Sequence, residues 1–146
     1  MKPKDFFTTE EKQRIVEAIR KAEKNTSGEI RVHLESNKKK KPAMQRAWEV
    51  FNMIGMHKTH LKNGVLFYID VNQRVFSVLG DKGINNVVPD DFWDTINKKM
   101  LAGFSKGQYA DALITGILQV GEQLKKYFPY QDDDKNELPD EISIND

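Results

Sequence analysis

Apolar positions change period several times along this chain, and each change marks an element. Ile15, Ile19 and Ala22 recur at helical spacing behind TTEE, where Thr8 and Glu11 stand three apart as a capping box. That spacing predicts a helix to about residue 24, and NTSG, residues 25–28, breaks it. In EIRVHLES, Ile30, Val32 and Leu34 alternate with Arg31, His33 and Glu35. Strict period two predicts a strand with one buried and one wetter face, near a sheet edge. NKKKKP, residues 37–42, reads as a charged loop, and Pro42 suits the start of a helix over 43–54 with Ala47, Val50, Phe51 and Ile54 inward.

NGVLFYIDV is apolar on both alternations, as in a strand covered on both faces. The short VNQR then connects it to RVFSVLG, which predicts an antiparallel hairpin. A further helix begins near Pro89 or Asp90, with acids in its first turn, and is interrupted over residues 104–107. The last helix, 108–127, turns Ala112, Ile117, Val120 and Leu124 inward, and Pro129 closes the domain. The order α, β, α, β, β, α, α describes a small α/β sandwich with a mixed sheet, the crossover making the first two strands parallel.

At 146 residues the chain makes one domain with a real core, residues 1–130. The absence of cysteine removes disulfides, thiolate zinc sites and cysteine nucleophiles. The first residues become charged before an apolar stretch builds, and no segment approaches the roughly 20 apolar residues of a membrane span. The expectation is a soluble, cytoplasmic protein that does not span a membrane. The formal charge of +1 conceals an asymmetry: residues 131–146 hold seven acids against Lys135 alone, a formal −6, leaving +7 on the body. The tail is expected to be solvated and disordered, with masking of the basic body as the alternative.

The chemistry-bearing stretch is LGDKGIN, residues 79–85. It lacks the spacing of a phosphate-binding GxxxxGK[ST] loop, and no dinucleotide GxGxxG occurs. If the third strand runs antiparallel to the first two, its carboxyl end lies beside their amino ends, which carry Gly28, Glu29, Asn63 and Gly64. Asp81 would then meet Glu29 at one rim of the sheet, with Asp90 and Asp91 closing over it. Carboxylates gathered there suit a hard cation, Ca²⁺ or Mg²⁺. Turn glycines with a turn Asp and helix-capping Asp90 or Asp91 are the competing reading, and both stay open.

Other features carry less. His57 and His60 stand three apart but precede NG in an expected polar loop. Ser36, Ser77 and Ser105 sit in no nucleophile elbow, so a triad would have to be assembled by folding. The Lys38–Lys41 run has no interleaved aromatics and reads as a solvated loop, which argues against specific nucleic-acid binding. Trp48 and Trp93 fall on helical stripes and are expected in or near the core.

Taken together, the capped first helix with NTSGEIRVHLES, the helix around Ala47 and Phe51, NGVLFYIDVNQRVFSVLGDKGIN, and FSKGQYADALITGI resemble the TPM domain family in order and spacing. The resemblance implies a three-layer α/β/α sandwich with a small mixed sheet and a divalent-cation site, in a stand-alone soluble member that lacks the signal peptide and membrane helix of many relatives. With the rim acids it leads to the expectation of action through an unknown protein partner, membrane-associated or not. In the plant branch it also implies acid phosphatase activity, which here would be a metal-dependent phosphomonoesterase. By position the implied ligands are Asp81, Asp90, Asp91 and Glu29, with no catalytic residue assigned. An electrostatic adaptor for an anionic protein or membrane surface is the remaining alternative. GDKG spaces its glycines wider than the GxG common in the family, and the histidines of IGMHKTHLKNG match no family pattern.

Overall fold

A computed structural model describes residues 2–130 and 140–145. Pro3–Asp5 forms a 3-10 turn that leads the buried Phe7 under helix α1, Thr9–Glu23. The capping box closes as the sequence requires: the Glu11 amide donates to Thr8 Oγ1 at 3.1 Å, and the Thr8 amide donates to Glu11 Oε1 at 2.9 Å. Strand β1, Glu29–Glu35, leads through helix α2, Ala43–Met53, to strand β2, Gly64–Asp70. Strand β3, Val75–Gly80, is followed by a single helical turn, α3, Lys82–Asn85. Helices α4, Phe92–Ser105, and α5, Tyr109–Tyr127, complete the body, and Ser143–Asn145 returns as strand β4.

The sheet order is β3-β2-β1-β4. β1 and β2 are parallel, with Glu29 opposite Gly64, and β2 and β3 form the expected antiparallel hairpin. Ile30, Val32, Leu34, Val65, Phe67 and Ile69 pack beneath α1, α4 and α5 in the larger core. Leu66, Tyr68 and Leu79 pack against Ala47, Val50 and Phe51 of α2 in the smaller one. These are the three layers of an α/β/α sandwich.

Four expectations need correction. β1 is interior rather than near an edge, because β4 pairs with it in parallel, with His33 opposite Ser143 and Glu35 opposite Asn145. Its second face is not wet: His33 and Glu35 are buried, since α2 and β4 bring polar partners to them. Trp48 is 38% exposed beside the α2 stripe rather than in it, while the segment after Gly80 is a single helical turn capped by Asp81. The acidic tail expected over 131–146 falls partly outside the described residues, but Asp140–Asn145 is placed against the body and contributes β4.

Candidate functional site

The two ends of the sheet gather most of its buried polar side chains. At the rim formed by the amino ends of β1 and β2 and the carboxyl end of β3, the register continues one step past the strand: the Asp81 amide donates to Gly64 O at 3.0 Å. Glu29, Gly64 and Asp81 therefore stand side by side across three strands. Glu29 and Asp81 are both buried. The loop entering β2 closes on the same place, with the Gly83 amide donating to Lys62 O at 2.8 Å. Gly83 is required there, because a Cβ would stand 2.2 Å from Leu61 O.

Asp81 caps α3 through Oδ1, which accepts the Lys82 amide proton at 2.8 Å. Its other oxygen, Oδ2, is enclosed and has no hydrogen-bond partner, and the same holds for Asn63 Oδ1 and Thr59 Oγ1 in the loop that packs on it. Enclosed oxygens without partners are costly, so a group that satisfies them gains that energy back. Among the described residues no three or more His, Cys, Asp or Glu side chains gather to hold a metal. The rim instead offers carboxylates together with neutral oxygens, the donor chemistry of a hard cation. Met56 occupies the space over Gly64, its methyl carbon 3.2 Å from where a Cβ would stand, and so separates Glu29 from Asp81.

Of the four acids expected to converge, the fold brings Glu29 and Asp81 to one row. Asp90 and Asp91 are exposed and face different grooves, Asp90 beside Gly80 and Trp93, Asp91 beside Gln119 and Glu122. A third carboxyl lies near the rim instead. Glu23 accepts the Ile30 amide proton at 2.7 Å. Burial and a hydrogen bond with Asp140 push its carboxyl up to about 10, so it keeps a proton at neutral pH.

The opposite end of β1 and β2 is built differently. Glu35 accepts from Arg46 Nε at 2.6 Å and Nη2 at 2.9 Å, and from the Tyr68 hydroxyl at 2.7 Å. His33 Nε2 reaches its Oε1 at 3.2 Å, and His33 Nδ1 meets Ser143 Oγ at 2.8 Å. Burial alone would raise the Glu35 carboxyl, but the bonds from His33, Arg46 and Tyr68 hold it well below the usual carboxylate range. Folding thus assembles the Ser-His-acid order that no sequence spacing displayed. The imidazole is only 4% exposed and the carboxylate is neutralised by Arg46, so the arrangement is a structural clasp between β4 and β1. Lys41 is drawn from the basic run onto Glu49 at 2.9 Å. His57 and His60 are exposed in the loop before β2.

Fold and rim define a class: a small α/β/α domain whose one mixed sheet ends in enclosed oxygen donors. The chain belongs to the TPM domain family, whose model matches residues 1–123. It is similar to the BA42 protein of the psychrophilic bacterium Bizionia argentinensis, whose NMR structure is 49% identical over 99% of each chain with a TM-score of 0.90. The N-terminal domain of a P. gingivalis protein is 20% identical, covering 85% of this chain and 80% of its own, with a TM-score of 0.68. The N-terminal domain of the cg2496 protein of Corynebacterium glutamicum is 14% identical, covering 81% of this chain and 74% of its own, with a TM-score of 0.64. These last two share the fold. No curated protein matches the chain. Among the described residues, no helix is long and apolar enough to cross a membrane.

Proposed function

We propose that this domain binds a divalent cation, Ca²⁺ or Mg²⁺, at the rim where β3 ends beside the start of β2. One observation carries the reading: Asp81 Oδ2, Asn63 Oδ1 and Thr59 Oγ1 are enclosed without hydrogen-bond partners in two segments that pack on each other. Asp81 would supply a carboxylate oxygen, Asn63 and Thr59 neutral ones, and Glu29 a second negative charge beyond Gly64. A site with so few carboxylates is expected to bind weakly, because affinity in oxygen cages rises with ligand charge and number.

Thermal unfolding in calcium and in magnesium chloride tests this, since a ligand that binds only the folded state raises its stability with concentration. The midpoint should rise with cation in the native chain and stay flat in Asp81→Asn, which retains the cap to Lys82. Equal responses in the two proteins would remove Asp81 from the site, and no response in either would remove the site. A cation-dependent hydrolysis of a generic phosphate ester, lost in the same variant, would extend the reading to the phosphomonoesterase implied by the family resemblance.

A further inference from the structure

β3 is the free edge of the sheet: it pairs with β2, and among the described residues no strand lies on its other side. Hydrogen bonding alternates along an antiparallel pair, and the Asp81 amide bonded to Gly64 O fixes the phase. Phe76, Val78 and Gly80 therefore turn their backbone N–H and C=O outward. The Gly80 carbonyl confirms the direction, because it accepts from the Asn85 side chain at 2.8 Å instead of from a strand. Trp93 donates to Asn85 Oδ1 at 2.8 Å and covers that end, where a Cβ on Gly80 would stand 2.3 Å from the indole.

Two adjoining cavities, of about 530 and 430 Å³, run along this edge between α2 and α4 and share Met44, Val78, Asp94 and Asn97. Their walls hold large apolar side chains in solvent: Met44 is 61% exposed, Trp48 38% and Leu101 60%. An edge strand between apolar walls, with Val75 and Phe76 reaching solvent and Ser77 to Gly80 on the groove floor, is an arrangement that accepts an added strand, with main-chain bonds giving affinity and side-chain pockets giving selectivity. The charges are also sorted. Arg74 and Lys98 line the groove toward Val75, and Asp90 lines it toward Gly80, with Asp94 between.

We propose that this groove binds an extended peptide segment of a partner protein, added antiparallel to β3. The segment bonds opposite Phe76 and Val78 and stops where Asn85 and Trp93 cover Gly80, a span of about 7 Å or roughly three residues at strand rise. It is apolar on both faces, with a Lys or Arg at its amino end, near Asp90 and Asp94, and an Asp or Glu at its carboxyl end, near Arg74 and Lys98. This surface is distinct from the rim oxygens, and its occupancy does not depend on a cation.

The test is a titration of the isotope-labelled full chain, without added divalent cation, with the blocked peptide Lys-Ile-Val-Val-Leu-Val-Glu. Saturable amide shifts should centre on Phe76 and Val78. Affinity should fall about tenfold in Met44→Glu and in Leu101→Glu, both at solvent-facing positions that leave the core intact. Lys98→Glu should also weaken binding, and a peptide ending in Lys should recover it. Absence of saturable shifts at millimolar peptide, or equal affinity in the groove variants, would overturn the proposal. So would sedimentation showing that two copies of this chain pair through β3, which would make a second copy the occupant.

Discussion

The two ends of this sheet solve the same problem, a buried acid, in opposite ways. At the carboxyl end of β1, Glu35 is saturated by Arg46, Tyr68 and His33, and its charge is cancelled within the chain. At the amino end, Asp81 has one oxygen committed to the α3 cap and the other enclosed without a partner, while nearby Glu23 is quieted by a proton. Counting acids would rank the two ends alike. Following each oxygen to its partner separates the saturated Glu35 from Asp81, whose Oδ2 is enclosed without a partner, as is Oδ2 of Asp70 beside Glu35.

Removing Arg46 should break this contrast most severely. Arg46→Ala leaves Glu35 enclosed without its counter-charge and should cost about 3–5 kcal/mol, measured by urea unfolding at pH 7. Because the folded Glu35 carboxyl lies below its unfolded value, its contribution is present above about pH 4.5 and fades as acid protonates it. The loss in Arg46→Ala should therefore shrink toward low pH. An unchanged stability would mean that the network is not what holds that end together.

A smaller effect should come from Glu23, whose folded carboxyl lies above its ordinary value of 4.5. The folded state then holds an extra proton between the two values, so this group makes stability fall as pH rises from about 4.5 toward about 10. Glu23→Gln imitates the protonated form and keeps an acceptor for the Ile30 amide. It should stabilise the protein by about 1 kcal/mol at pH 8 and leave it unchanged near pH 4, read from paired unfolding curves. A gain independent of pH would assign the effect to packing.

The smallest effect expected is that of Asp81→Asn in cation-free buffer, under about 1 kcal/mol, because the amide keeps the cap and removes an enclosed charge. Comparison with Arg46→Ala sharpens the distinction between the ends: removing the counter-charge of a saturated buried acid is costly, and neutralising an acid that lacks a full set of partners is not. A cost as large as that of Arg46→Ala would show that Asp81 has a structural partner of its own.

How much of this the sequence displays follows from where each signal resides. Helix α1, with its capping box, and the doubly apolar β2 are local patterns, and both appear as expected. The arrival of Asp81 in one row with Glu29, across Gly64 of β2, follows from one topological step, the antiparallel turn after β2. β1 misleads because Arg31, His33 and Glu35 look solvent-facing until α2 supplies Arg46 and a distant segment supplies Ser143. That segment forms a strand of three residues, too short to carry a periodic signal. Thr59 and Asn63 reach the rim through a loop whose path is set by the close approach at Gly83, which spacing does not encode. Trp48 departs from expectation because it neighbours the α2 stripe in sequence while lining the groove beside β3.

The measurement closest to the central claim is a calcium and magnesium titration followed by amide chemical shifts across the whole chain. The account predicts saturable shifts confined to the amides around Thr59, Asn63, Asp81 and Gly83, with the Glu35–Arg46 end unmoved. Shifts that fail to saturate, or that gather at the exposed acids and leave Asp81 and Asn63 unchanged, would contradict it.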